Sequence, residues 1–302
     1  MEARTPSPLP RPVAILLNDA ASSARTARVR HSVELTRRAL DADLLTIATR
    51  DAEELTAFVR EHAGYPTVVV AGGDGTLGVV YNALAGSDTT LGCIPAGFGN
   101  ATAHLLGLPR GPDALAATII AGDARPLDLV RVGSRIALFT GVGWDALVAG
   151  RYADGGARGT LGWAAAIGSA IPALFQRPTV RLSIDDEQAY EGPMEMLVAA
   201  TTPWFGRGLL VNPGARPDAG RMRLRLYPGP VGRLAVAAVH WLAGRTSAAP
   251  HWDATHAGLE VIHGGELPLQ ADGDRIGRAS AWTFTLEPRA VRLIGRWSSR
   301  RP

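Results

Sequence analysis

The apolar positions of this chain change texture about two-fifths of the way along. In the first part, short apolar runs alternate with segments of helical spacing. Residues 13–17 form a compact apolar run, and 24–40 follow with Ala27, Val29, Val33, Leu35 and Leu40 at amphipathic-helix spacing. Residues 43–49 predict a second strand and 51–62 a second helix, opened by Asp51 as N-cap with Glu54 three positions on. After the turn former Gly64-Tyr65-Pro66 come Val68, Val69 and Val70, consecutive β-branched residues that suit a strand buried on both faces. That strand runs directly into Gly72-Gly73-Asp74-Gly75-Thr76 and a helical pattern at Leu77, Val80, Tyr81 and Leu84. Residues 90–94 give a fourth strand, leading through Pro95-Ala96-Gly97-Phe98-Gly99-Asn100 to a helix ending near Leu106, and 112–121 give another. Four strand–helix alternations predict a parallel sheet covered on both faces.

After Pro126 short β-like runs recur at 127–132, 135–140, 179–184, 195–200, 221–227, 259–262 and 282–286, separated by Gly, Pro and Asp turns. Helical stretches at 161–175 and 231–243 interrupt them. The reading is an α/β N-terminal domain over residues 1–125 and a mainly β, sandwich-like C-terminal domain over 126–289.

Ligands of open parallel sheets sit beyond the carboxyl ends of the strands. Asn18, Thr49, Gly72–Thr76 and Gly97–Asn100 all fall there. Three glycines in four positions let the backbone approach a ligand closely, and N–H groups at a helix start suit phosphate. Asp74 would repel a bare phosphate, so it fits a bridging cation, a ribose or an amide, or else a helix cap. Late in the chain, Asp272-Gly273-Asp274 sets two carboxylates two positions apart. In extended backbone both would point to one side, a base and an orienting group; the plainer reading is an Asp-Gly hairpin turn.

Composition narrows the chemistry. All 31 basic residues are arginine, so mechanisms needing a P-loop lysine or a Schiff base are excluded. A net charge of +3 gives no argument for nucleic acid, and the single Cys93 excludes an intramolecular disulfide. The seven histidines have no metal-ligand spacing, and no serine sits in a G-x-S-x-G elbow. The polar, proline-rich start carries no secretory pattern, and the uncharged run 159–176 is interrupted by Gly162, Gly168 and Pro172. A cytoplasmic chain is expected, with peripheral contact at the inner membrane face through Trp163, Ile167, Ile171, Leu174 and Phe175, a set that equally suits a core. Edge strands of a β-rich domain also leave room for a homodimer.

Gly72–Thr76, the 94–109 segment, Leu127-Asp128-Leu129, Gly141-Val142-Gly143-Trp144-Asp145 and Asp272-Gly273-Asp274 together resemble the diacylglycerol kinase catalytic domain family. This is the lipid-kinase group that includes bacterial diacylglycerol kinases and sphingosine kinases. The resemblance implies ATP held by Asn18, Ser22, Thr49, Gly72, Gly73, Asp74, Gly75, Thr76, Gly97 and Asn100. It implies a lipid alcohol as acceptor, Asp272 as general base with Asp274 beside it, Mg2+ near Asp218 and Asp74, and residues 290–302 packing back on the first domain. Departures from the family pattern are Asp19-Ala20-Ala21-Ser22 for P-x-S-G, Phe98 for Ser or Thr, Ala219 for Asp, and Asp274 for Glu. The first of these is expected to loosen its loop and to bring the Asp19 charge near the phosphates. The last shortens the side-chain reach by about 1.5 Å. A non-catalytic nucleotide- or lipid-binding module, and a NAD kinase relative, are the alternative readings.

Overall fold

The computed structural model describes residues 8–157, 159–229, 231–245 and 248–296. The chain divides into two compact units. One comprises the described residues of Met1–Leu127, Gly206–Gly208 and Arg289–Pro302; the other comprises those of Asp128–Phe205 and Leu209–Pro288.

The first unit alternates β1 (Val13–Asn18), α1 (Ala27–Leu40), β2 (Asp43–Ile47), α2 (Ala52–Glu61), β3 (Thr67–Gly72), α3 (Asp74–Leu84) and β4 (Thr90–Pro95), then α4 (Ala101–Leu105) and α5 (Pro112–Ala121). Its strands are parallel in the order β2-β1-β3-β4. The valine-rich β3 and the apolar β1 are buried along their whole length, whereas edge strand β2 is mostly exposed. Ile15, Leu17, Val69, Ala71 and Ile94 meet Val29 and Val33 of α1 and Leu115 and Ile119 of α5 in one core. Each such side chain contributes about 1.5–3 kcal/mol by leaving water. Helix α1 begins at Ala27, not Ala24, because Thr26 is its cap and accepts from the Val29 N–H. Strand β2 stops at Ile47, which leaves Thr49 in the loop.

The second unit begins on β5 (Ala124–Val132), which enters from the first unit, and continues through β6 (Arg135–Ala137), β7 (Phe139–Gly143), α6 (Trp144–Asp154), α7 (Gly159–Ala170), β8 (Thr179–Ile184), β9 (Glu187–Pro193) and β10 (Met196–Ala200). There follow β11 (Trp204–Phe205), β12 (Leu209–Leu210), β13 (Met222–Tyr227), α8 (Val231–Leu242), β14 (His251–Ala254), β15 (His256–His263), β16 (Leu267–Ala271), β17 (Asp274–Ala279) and β18 (Ala281–Ile294). One antiparallel layer runs β14-β13-β10-β7-β16-β17; in the other, β15 pairs with the first half of β18 and with β8, and β8 with β9. Val142, Leu197, Leu224 and Leu269 from one layer meet Val180, Leu182, Leu259 and Phe284 from the other, the filling of a β-sandwich.

Several elements differ from the sequence reading. The strand expected over 135–140 is two strands broken at Leu138, whose N–H is taken by the Asp272 carboxylate. Helix α7 ends at Ala170 and a 3-10 turn covers Ile171–Phe175, because Pro172 lacks the N–H a longer helix needs. Helix α6 and strands β9, β14, β16 and β17 were not indicated by the apolar pattern. At the end of the chain Arg292 and Leu293 pair with Thr90 and Leu91 of β4, and Arg296 N–H donates to Leu106. Residues 297–302 of the 290–302 segment lie outside the described residues. Among the described residues no helix is long and apolar enough to cross a membrane.

Candidate active site

Parallel register brings the strand ends of the first unit level. Asn18 is opposite Ile47, Leu17 opposite Ala71, and Gly72 opposite Pro95. The buried Asn18 side chain ties three of these ends together. Its Nδ2 donates to Thr49 O at 2.9 Å and to Thr76 Oγ1 at 3.2 Å, while its Oδ1 accepts from Ala20 N–H at 3.1 Å and Thr49 N–H at 3.3 Å. Truncating Asn18 to Ala would orphan buried groups on two loops. A loss of about 3 kcal/mol is expected, read as a lowered denaturation midpoint.

Two glycine loops meet backbone to backbone. A Cβ on Gly97 would stand 2.6 Å from Gly73 Cα, and one on Gly73 would stand 3.0 Å from Gly97 Cα. A Cβ on Gly72 would stand 2.6 Å from Thr76 Cβ. These glycines are required by contact, not by backbone angle. Asn100, in the left-handed region at φ 53°, closes the second loop: its Oδ1 accepts from Gly97 N–H at 3.0 Å and its Nδ2 donates to Gly97 O at 2.8 Å. Gly73 caps α3 with no side chain, so the first-turn N–H groups at Asp74, Gly75 and Thr76 have no partner within the helix.

Asp74 does not face outward from this cradle. Its two oxygens accept from Ala101 N–H at 3.1 Å and Thr102 N–H at 3.2 Å, so the carboxylate caps α4. Burial raises its pKa, opposed by those same N–H groups. Ser22 is exposed, and its hydroxyl reaches Ala96 O at 3.4 Å. The loop that lacks the usual proline and glycine is not loose. Asp19 N–H donates to Ile47 O, Ser23 N–H donates to Ala96 O, and the Asp19 carboxylate is paired with Arg30 at 2.7 Å. Its charge is therefore locally balanced. Asp51 accepts from Glu53 and Glu54 N–H as the α2 cap, but Glu54 bonds the Thr49 hydroxyl in place of closing a capping box.

In the second unit Asp272 and Gly273 form the two-residue turn between β16 and β17, both with positive φ (49° and 93°). This left-handed turn separates the two carboxylates that extended backbone would have set side by side. Asp272 is buried and accepts from Leu138 and Phe139 N–H, both at 3.1 Å. Asp274 is half-exposed and paired with Arg135 at 3.3 Å. Asp218 is also half-exposed, with Arg216 on its Oδ1 at 3.0 Å. The buried Asp128 holds the neighbouring turn by accepting from Gly220 N–H at 2.8 Å.

The sequence reading missed a buried chain beneath the Asp272 turn. Gly273 N–H donates to Gln270 Oε1 at 2.8 Å, and Gln270 Nε2 donates to Asp145 Oδ2 at 3.0 Å. A Cβ on Gly141 would lie 1.8 Å from that Asp145 oxygen, so glycine there makes room for the carboxyl. Among the described residues Asp145 Oδ1 is buried without a hydrogen-bond partner. Burial pushes the Asp145 pKa up to about 7, against the opposing Gln270 bond. Between the ordinary value of 3.8 and about 7, the folded state keeps a proton that the unfolded state has lost. Stability must therefore fall as pH rises through that window, by about 4 kcal/mol at most. Denaturation midpoints across the window should show this decline, and Asp145→Asn should flatten it.

Among the described residues no group of three His, Cys, Asp or Glu side chains could hold a metal ion. Magnesium, however, commonly takes one or two protein carboxylates and completes its shell with phosphate and water. Asp218, whose Oδ2 is not engaged by Arg216, fits that role; Asp74 would have to give up its bonds to α4.

Comparison with known proteins decides the family. Residues 12–132 match the model of the diacylglycerol kinase catalytic domain, and residues 139–295 match that of the YegS C-terminal NAD kinase beta sandwich-like domain. The chain belongs to the diacylglycerol kinase and YegS-like lipid kinase family. It is an enzyme of the phosphotransferase class. It is 29% identical over 214 residues to a diacylglycerol kinase of Mycobacterium tuberculosis, covering 62% of this chain and 67% of that protein. It is 28% identical over 250 residues to a probable YegS-like lipid kinase of Pseudomonas aeruginosa, covering 82% and 80%. The crystal structure of a putative diacylglycerol kinase from Bacillus anthracis superposes with a TM-score of 0.73 at 18% identity, covering 94% of this chain and 96% of that one. At that identity the likeness is one of fold.

Proposed function

We propose that this lipid kinase transfers the γ-phosphoryl group of ATP to the hydroxyl of a lipid alcohol, of the diacylglycerol, sphingoid or related class. The observation that carries the reading is the contact of the Gly73 and Gly97 loops beside the open N-terminus of α3. Backbone N–H groups at Asp74, Gly75 and Thr76 receive phosphate oxygens there, where the positive end of the helix favours them. Asn18, Ser22, Thr49, Gly72 and Asn100 hold the loops to the shape the nucleotide needs, and Asp74 locks α4 against them. The 1–125 half takes the nucleotide and the 126–289 half the lipid.

Phosphoryl transfer asks the protein mainly for positioning and charge neutralisation, so the absence of lysine is no obstacle. Asp272 serves as general base. Two backbone N–H groups orient its carboxylate, which is the acceptor for the proton of the lipid hydroxyl. Asp274, turned away from it and paired with Arg135, has the lesser part, and Asp218 is the carboxylate offered to Mg2+. When bound, that ion neutralises phosphate charge. Peripheral contact with the inner membrane face would bring the enzyme to its acceptor.

The test is the thermal midpoint with ATP and Mg2+ separately and together, followed by turnover. A ligand at a hundred times its Kd stabilises by about 2.7 kcal/mol. The largest rise is expected with both, reduced in Asp218→Asn. Phosphorylation of NAD but of no lipid alcohol would favour the NAD kinase reading, and ATP binding without any turnover would favour a binding module.

A further inference from the structure

Antiparallel register sets Gln270 of β16 directly opposite Gly141 of β7, and Ala271 opposite Thr140. Directly opposite residues project their side chains from the same face of a sheet, so glycine at 141 leaves a place open beside Gln270. Asp145, in the first turn of α6, fills it: a Cβ on Gly141 would stand 1.8 Å from its Oδ2. The buried Gln270 amide then has one orientation. The Gly273 N–H can only donate, so the side-chain oxygen faces it at 2.8 Å, and the amide nitrogen is left to Asp145 Oδ2 at 3.0 Å. Oδ2 accepts that bond whether or not Oδ1 carries a proton. The link therefore holds on both sides of the Asp145 pKa, pushed up to about 7.

What this link holds is the turn that carries Asp272. Gly273 is the next residue, and the two make the left-handed connection from β16 to β17. The Asp272 end of the turn is fixed by the break between β6 and β7. Its N–H donates to Phe139 O at 3.0 Å, and its carboxylate accepts from Leu138 and Phe139 N–H. The Gly273 end is fixed by the Gln270 amide, and through it by Asp145. Helix α6 is itself tied to the same hairpin at a second point. Arg275 of β17 donates to Gly150 O at 3.1 Å and pairs with Asp154. A Cβ on Gly150 would stand 3.1 Å from the Arg275 guanidinium, so the approach is close. Asp145 is thus presented from a helix anchored to the turn it supports. Buried polar groups bonded in series strengthen one another and rigidify what they hold.

We infer that Gln270 and Asp145 are positioning residues, which aim the Asp272 carboxylate by holding the Gly273 end of its turn. The inference rests on the reading of Asp272 as general base. The test compares Gln270→Leu, Asp145→Leu and Asp145→Asn with wild type, each also in an Asp272→Asn background, with melting midpoints to check folding. Both leucine changes should lower kcat about 10–100-fold, the cost of misplacing a reacting group by about 1 Å, and leave KM for ATP unchanged. Asp145→Asn should recover most of that loss, because its amide oxygen can accept from Gln270 Nε2 as Oδ2 does. Where Asp272 is already Asn, neither leucine change should lower kcat further by more than about twofold, since residues acting as a unit are not additive. Hydrogen exchange at the Gly273 N–H is a readout that needs no turnover. It should quicken at least about tenfold in both leucine variants and stay near wild type in Asp145→Asn. Wild-type kcat in Gln270→Leu, or the same fractional loss with and without Asp272, would overturn the inference and leave the kinase reading standing. Full activity in Asp272→Asn would refute the base and this role with it. No transfer by wild type to any lipid alcohol would refute the kinase reading itself; unchanged exchange at Gly273 would overturn the link even then.

Discussion

Asp272→Asn is expected to lower kcat for phosphoryl transfer by about 10²–10⁴-fold, the usual contribution of a positioned general base. The amide keeps the shape of the carboxylate, and its oxygen can still accept from Leu138 and Phe139 N–H. The β16–β17 turn and the break between β6 and β7 should therefore survive, with little change in melting midpoint or in affinity for ATP. Steady-state kinetics beside a nucleotide titration separate the two effects. A fall in ATP affinity equal to the fall in rate would mean that Asp272 maintains the fold and is not the base. Asp274→Asn should have a smaller effect, because Asp274 is half-exposed and already shares its charge with Arg135.

Gly97→Ala is expected to act on the other half of the chemistry. Its Cβ would be 2.6 Å from Gly73 Cα and 3.0 Å from Asn100 Oδ1, so the glycine loops must part. Overpacking of this kind costs about 1–3 kcal/mol. Because the strain falls on the loops that present N–H groups to phosphate, ATP affinity should drop roughly tenfold or more, which about 1.4 kcal/mol suffices to produce. Gly111→Ala is the matched control, since a Cβ there meets nothing within 4 Å. Calorimetric titration of both variants with ATP should find the control equal to wild type. Equal affinity in Gly97→Ala would place the nucleotide elsewhere.

Much of the first unit could be read from the sequence because its signals are local. Three valines in a row before a glycine cluster specify a buried parallel strand entering a helix, and strands β1, β3 and β4 fall within a residue or two of the apolar runs. The gathering of Asn18, Thr49, Thr76, Gly73, Gly97 and Asn100 was legible for the same reason: parallel topology carries strand ends to one edge. The direction of each side chain was not. Asp74 sits in a phosphate-like loop yet spends its oxygens on the N–H groups of α4, a partner 27 residues away.

The second unit was harder because its determinants lie far apart in the chain. The strand expected over 135–140 breaks only because a carboxylate from residue 272 takes the Leu138 N–H. An Asp-Gly pair announces a hairpin, but the positive φ of both residues, which turns Asp272 away from Asp274, follows from the two-residue turn type. Asp145 carried no pattern of its own. Its burial depends on Gly141 four residues before it and Gln270 on another strand, a constellation visible only after folding. Helix α6 is short and starts directly from β7 at Gly143, with φ 90°, so neither a polar cap nor a turn announced it.

The most direct measurement is the fate of the γ-phosphoryl group. Purified protein is incubated with γ-labelled ATP, Mg2+ and a panel of lipid alcohols, and the organic phase is separated and counted. The account predicts label in a lipid product, dependent on Mg2+ and nearly abolished in Asp272→Asn while ATP still binds. Label that stays in the aqueous phase with every lipid, in protein that binds ATP, would contradict it.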